Sequence, residues 1–570
     1  MVNIATGKAA HEETSEYLVG TLQRGALMRH EFQKECSEDD CIFLKRLQRV
    51  KVSNFAFENI KSKSFRNKAD LSVAEGVRDA FGHLLVKAAM TDDFIDLQHI
   101  LSYPVTKIPL SLAHVDGTPT KTDKAVLVKI LHSKQTHQYE DATPSSAVVV
   151  DDGLILHEVL PHHINSTYGK IVRDIMIKVC ASKEKTIHLL LDRYVQPSIK
   201  DVERVKRGAN VDKIKFIISG PDQQQKMKGT ELLKHGTFKE GLSQLLMSEI
   251  QKEHYASVIA NKTVYVSHGG NCVRLSNDAN NVLVVDKPEE FQGSHEEADT
   301  LIAFHAHKIS GTVKVRSSDT DVLIVLIGLA PMITPTSKIM VDFGTANHRK
   351  LINVTDISEQ LEKTRAGLSE ALLGFHALTG CDFTSSFYRK GKNIPFTYLE
   401  KNPKHILSLR SLCSQSVDQT GVTEYVCQLY GFKALSSINE ARYQCFLKMT
   451  GGKRMDKGVR KINCASLPPC KRALEKHILR ANLVSIIWRL AYTPEPSKGL
   501  DPIKFGWEED DNGHYVPFWY EGSPLPGNFP CTKDSVLDLD ESDTTTLDFD
   551  EPEPDGEQWS DDSSDTTDKD

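Results

Sequence analysis

From residue 147 onward, short apolar runs ending in aspartate alternate with stretches of helical periodicity. No other feature of the chain narrows its fold as much. AVVVDD reads as a buried strand ending in Asp151 and Asp152. In NSTYGKIVRDIMIKVC, Tyr168, Ile171, Val172, Ile175, Met176 and Val179 recur at the spacing of one helical face. TIHLLLDRY is a second strand, ending in Asp192. KIKFIISG, TVYVSHGG and NVLVVD read as further strands, with a helical stretch over 231–259 between the first two of these. SKIMVDFG reads as a hairpin strand, and 357–378 as a helix ending in Thr379-Gly380-Cys381-Asp382. Strands alternating with helices predict an α/β fold, a mostly parallel sheet flanked by helices. Ligands of such sheets sit outside the carboxyl ends of the strands. Asp151, Asp152, Asp192, Asp319 and Asp321 are all expected at or just past such ends.

The chemistry is densest in SHEEADTLIAFHAHKISGTVKVRSSDTDVLIVLIG, residues 294–328. Glu297 and Asp299 open an amphipathic helix, a short strand follows over 312–316, and Asp319 and Asp321 then precede the apolar run 322–327. Four carboxylates thus fall at the mouth of a helix–strand–helix unit. Crowded carboxylates repel one another unless hard cations neutralise them. Oxygen ligands of this kind suit Mg²⁺ or Mn²⁺. The plainer alternative is that Ser294-x-x-Glu297 and Ser318-x-x-Asp321 are capping boxes that satisfy the first N–H groups of two helices.

Taken in order, VVVDD, LLLDRY, EEAD, SDTD and TGCD resemble the signature of the PIN-like nuclease fold, and within it the flap-endonuclease (5′-3′ exonuclease) superfamily. The likeness covers about residues 145–395. The phrases SHEEADT, SSDTDVL and GFHALTGCDFTSSF also resemble a large set of uncharacterised invertebrate proteins with the same core, many of them derived from mobile elements. The resemblance implies a PIN-like sheet and a metal-dependent nuclease acting on DNA or RNA through two Mg²⁺ or Mn²⁺ ions. Such ions lie about 3.5–4 Å apart. It assigns Asp151 or Asp152, Asp192 and Glu297 to one ion, with Asp299 shared. Asp319, Asp321 and Asp382 serve the other, in part through water. It also implies that Lys200 and Arg207, seven residues apart and so on one helical face, clamp the scissile phosphate. One departure stands out. Gly-Cys-Asp is followed here by FTSSFYRKGKNIPFTYLEKNPKHIL rather than by a glycine-rich helix–hairpin–helix, which leaves Arg389, Lys390, Gly391 and Lys392 to meet phosphate. A catalytically inert nuclease-like fold that binds nucleic acid or acts as a scaffold is the alternative.

The rest of the chain frames this core. Residues 1–140 read as an N-terminal accessory region with no catalytic constellation, and 141–400 as the core. Residues 401–492 read as helices, 493–532 as a strap containing proline and tryptophan, and 533–570 as a disordered acidic tail. The tail's 534–570 segment carries a net charge of −15 against −7 for the whole chain, which leaves the remainder at +8. A basic body with an acidic tail suits a nucleic-acid partner, the tail mimicking phosphate. No apolar run approaches the roughly 20 residues needed to cross a bilayer, so no membrane partner is expected. Eleven cysteines without a C-x-x-C pair point to reduced thiols and an intracellular, nuclear or cytoplasmic, protein.

Overall fold

A computed structural model of the 570-residue chain describes residues 8–9, 12–38, 96–136, 145–195, 197–203, 215–332, 337–344, 349–450, 463–511 and 513–526. The acidic tail, Arg207 and the basic loop 451–461 lie outside the described residues.

The protein is built on one eight-stranded sheet. In chain order its strands are β1 (Ala147–Asp151), β2 (Thr186–Leu190), β3 (Thr263–His268), β4 (Asn271–Asn277), β5 (Leu283–Asp286), β6 (Thr312–Ser317), β7 (Lys338–Phe343) and β8 (Lys350–Asn353). Across the sheet they run β8-β7-β6-β1-β2-β3-β4-β5. The five central strands, β7 to β3, pair in parallel. β8, β4 and β5 pair antiparallel at the two margins. The expected α/β class and mostly parallel sheet are therefore present.

Period-two alternation divides the core. Val148 and Val150 of β1, with Ile187 and Leu189 of β2, pack in one cluster with helices α2 (Asp152–Val159), α3 (Tyr168–Cys180) and α4 (Gly236–Glu249). Val149, Leu190, Val313 and Val315 face the opposite cluster. That cluster holds α5 (Ala298–Lys308), α6 (Thr320–Leu329), α7 (Val354–Thr364), α8 (Leu368–Leu378) and α9 (Lys471–Arg489). Two buried faces require helices on both sides of the sheet, because each strand's side chains point alternately up and down. The apolar stripe of α9 is core, with Leu474, Ile478, Leu483 and Ile486 buried.

Several expected elements take a different form. KIKFIISG contributes only the two-residue strand Lys215–Phe216, paired with Lys8–Ala9 outside the main sheet. Both edges of β3 are already taken, by β2 and β4, so no place beside it remains. The helical stretch 231–259 is three α-helical pieces, Gly229–Leu232, α4 and Ala256–Ile259, with a 3-10 turn at Glu253–Tyr255 before the last. The helix 357–378 is broken into α7 and α8 by extended Arg365 and by Gly367 at φ +81°, a conformation that glycine adopts without strain. SKIMVDFG is both a crossover and a hairpin strand, parallel to β6 and antiparallel to β8.

Residues 96–136 of the segment read as accessory pack into the same core as the sheet, whereas the helices Glu12–Val19 and Thr21–Glu38 leave Val19, Leu22 and Leu27 exposed. Leu112 and the α1 helix (Ala125–His132), through Leu127, Val128 and Leu131, join the α5–α9 cluster. The strap also lies against the body: Trp507 is buried, and the Tyr520 hydroxyl donates to the Thr106 carbonyl at 2.8 Å. Among the described residues no helix is long and apolar enough to cross a membrane.

Candidate functional site: an acidic crevice at the switch point of the sheet

The chain leaves β1 in one direction for β2 and β3, then returns through α5 to lay β6 and β7 on the other side of β1. Strand order thus reverses between β1 and β6, which opens a crevice beyond their carboxyl ends where such sheets bind ligands. Asp151 ends β1, and across the crevice Ser317 ends β6. The Ser317 hydroxyl donates to Asp151 Oδ2 at 2.7 Å, and the Gly153 N–H donates to Asp151 Oδ1 at 3.2 Å. Asp152 is buried beside it, its Oδ2 accepting from the Asp192 N–H at 3.2 Å. Asp192, just past β2, accepts from the Ala298 N–H at 2.6 Å and so fixes the start of α5.

The two S-x-x-acid motifs are not capping boxes. The N-cap residues are Glu297 and Asp319, one position from where a box would put Asp319, and the Glu297 side chain makes no cap hydrogen bond. Asp319 Oδ1 accepts from the Asp321 N–H at 2.8 Å. Glu297 instead takes the Lys200 ammonium, whose Nζ is also 3.8 Å from Asp299 Oδ2. Asp382 enters from the turn after α8, where Gly380 has φ +104° and a side chain would meet Ser386 Cβ at 2.7 Å. Glycine is needed there to bring Asp382 back toward α6.

Two features of the crevice were not foreseen. Lys124, at the start of α1, donates to Asp382 Oδ1 at 2.6 Å and Asp321 Oδ1 at 3.0 Å, and stands 3.6 Å from Asp319 Oδ1. His376 of α8 places Nε2 2.9 Å from Asp321 Oδ1. KTDKAVLVKIL carries no mark that singles out Lys124. His376 carries a signal, a histidine on an apolar helix about one turn ahead of Gly-Cys-Asp.

The charges of the cluster are strongly coupled. Burial, reinforced by Asp192 and Asp319, raises the Asp151 carboxyl to about 6 despite the Ser317 hydrogen bond. Burial, then Asp192 and Asp151, raise Asp152 well above the ordinary range. Burial likewise raises Asp299 well above the ordinary range, against the relief from Lys200 and with Asp319, Asp321 and Glu297 adding to the rise. Asp319 is raised by burial and by Asp321 and Asp382, against Lys124. Asp321 goes the other way: burial opposes its charge, but Lys124 and His376 hold it well below the carboxylate range. These mutual effects place the predicted acids in one electrostatic neighbourhood.

The donor set, all carboxylate oxygens, has the chemistry of a hard divalent cation. Asp299 Oδ2 and Asp321 Oδ2 are buried without a hydrogen bond, leaving lone pairs for one. Among the described residues, however, no group of three or more His, Cys, Asp or Glu side chains is posed to hold a metal ion. Lys124 and Lys200 take up several of the oxygens instead.

The basic run after Gly-Cys-Asp does not serve phosphate as expected at Lys392. That side chain is fully buried and caps the end of α8, donating to the carbonyls of His376 (3.1 Å) and Gly380 (2.6 Å) and to the Thr379 hydroxyl (2.8 Å). Lys390 lies over the Tyr430 ring and Arg389 over Tyr388. Comparison with models of known protein families finds no match for this chain, and no curated protein matches it.

Proposed function

We propose that the protein is a metal-dependent nuclease of PIN-like, flap-endonuclease type that hydrolyses phosphodiester bonds of DNA or RNA. The observation that carries this reading is the meeting of acids from five separate segments at the switch point of the sheet. Asp151 or Asp152, Asp192 and Glu297 would hold one Mg²⁺ or Mn²⁺ ion, with Asp299 shared, and Asp319, Asp321 and Asp382 would serve the second, in part through water. Bound there, the ions would supply activated water and charge neutralisation at the departing oxygen. Lys200, held by Glu297 and Asp299, would meet the phosphate.

The test is cleavage of labelled flapped, single-stranded and RNA substrates with Mn²⁺ or with chelator. The double substitution Asp319→Asn, Asp321→Asn is expected to abolish Mn²⁺-dependent cleavage. Cleavage by the double variant as fast as by the parent would show the reading to be wrong.

A second reading, an inert nuclease-like fold that binds nucleic acid or acts as a scaffold, is favoured by the two lysines already neutralising the acids. A folded but inert binder shows no saturable rise in melting temperature with Mn²⁺, whereas the nuclease does.

A further inference from the structure

The backbone that carries Lys124 is anchored on both sides of it. Asp123 Oδ1 accepts from the Ala125 N–H at 2.8 Å, and α1 buries Leu127 and Leu131. Just upstream, Lys121 donates to the carbonyls of Cys381 (3.0 Å) and Asp382 (2.9 Å), and the Thr120 carbonyl accepts from the Ser386 N–H at 2.7 Å. The segment that brings Lys124 to Asp382 is thus laced to the same turn that supplies Asp382. The Lys124 side chain itself keeps 23% of its surface in solvent.

What it holds is one half of the acidic cluster. Asp321 uses a single oxygen, Oδ1, for both Lys124 and His376. Its other oxygen, Oδ2, belongs to a side chain with no solvent exposure and has no hydrogen-bond partner. A buried carboxylate oxygen left without a partner is costly, and a cation is the group that would satisfy it. A divalent cation drawing on Asp321 and Asp382 cannot share them with an ammonium at hydrogen-bond range. Repulsion between a single and a double charge at such separations far exceeds thermal energy even at the effective dielectric of a half-buried site.

We propose that Lys124 is a built-in counter-ion that takes the place of the second divalent cation and must leave Asp321 and Asp382 for that cation to bind. The inference rests on the reading above only in taking these carboxylates as cation ligands. It makes metal loading of this half of the site a competition between Lys124 and the ion. The apo cluster stays assembled because the lysine neutralises it, and loading there is weakened by the same contact.

The experiment is Mn²⁺ binding to the chelator-stripped full-length chain, by calorimetry and by melting temperature, for the parent, Lys124→Met and Lys124→Arg. Lys129→Met, an exposed change on the same helix, is the control. Lys124→Met is expected to lower the metal-free melting temperature and to tighten Mn²⁺ binding by about tenfold or more, since the competing charge is gone. Lys124→Arg keeps the charge and is expected to bind Mn²⁺ no more tightly than the parent. Should Lys124→Met fold only with Mn²⁺ present, that rescue supports the proposal, and failure of Mn²⁺ to rescue it overturns it. Equal or weaker Mn²⁺ binding by Lys124→Met makes Lys124 a post for the acids rather than a placeholder, and sinks this inference alone. Absence of saturable Mn²⁺ binding in parent and variant alike sinks the nuclease reading as well.

Discussion

His376 Nε2 lies 2.9 Å from Asp321 Oδ1, and neither side chain has any surface in solvent. Burial, aided by Lys392, pulls the His376 pKa down to about 4, so the ring is neutral and its one N–H is on Nε2, donated to the carboxylate. Asp321 in turn is held ionised. His376→Leu is therefore expected to destabilise the protein by about 1.5–3 kcal/mol, the range for a lost hydrogen bond to a charged group. His376→Gln, whose amide reaches the place of Nε2, should recover most of that. Urea unfolding of the three proteins measures it; equal stability of parent and His376→Leu would show the contact to be idle.

Asp152 is buried next to two other acids, and its pKa is raised by burial first and then by Asp192 and Asp151. A folded-state pKa above the unfolded one means stability from this group is full below the unfolded value, about 4, and is lost as pH rises through the folded value. Asparagine keeps the acceptor for the Asp192 N–H and carries no charge. Asp152→Asn is thus expected to stabilise the metal-free protein by about 1 kcal/mol or more at pH 8 and by less at pH 5. Thermal unfolding in chelator at the two pH values reads the difference. A variant less stable than the parent at pH 8 would mean that Asp152 is neutralised in some other way.

A buried histidine pair joins β2 of the sheet to helix α5. His188 Nδ1 is 2.9 Å from His305 Nδ1, His305 Nε2 is 3.1 Å from the Ser267 hydroxyl, and His188 stacks on Tyr265 at 4.3 Å. Burial lowers His188 to about 3 and His305 well below its ordinary value. The unfolded chain takes up protons near pH 6.5 and the folded one does not. Stability is therefore lost as pH falls below about 6.5, by about 2 kcal/mol at pH 5 for His188, with His305 adding a loss of the same sign. His188→Phe should flatten this acid dependence between pH 7 and pH 5, seen as a smaller change in denaturant midpoint. An unchanged slope would assign the acid sensitivity to other groups.

The sequence alone was enough to settle element types and faces wherever the determining neighbours are local. The strands AVVVD and TIHLL, the stripe of Tyr168–Val179, and the helix–strand–helix around SHEEADT and SDTD all hold, because the type of each element and its buried face depend on residues a few positions apart. The acids expected at strand ends also lie at the crevice, since a parallel sheet puts those ends together. What tertiary structure decided is which charges pair. Lys124 comes from a segment whose own pattern shows no site, and it stands against Asp321 and Asp382 because Thr120 and Lys121, just upstream, are hydrogen-bonded to the turn after α8. Lys392 sits in a run that looks basic and free, yet it is buried on carbonyls. Arg365 and Gly367 split a helix that periodicity alone would carry through. Electrostatic pairing acts across space, between residues that the linear chain keeps far apart, so local pattern cannot encode it.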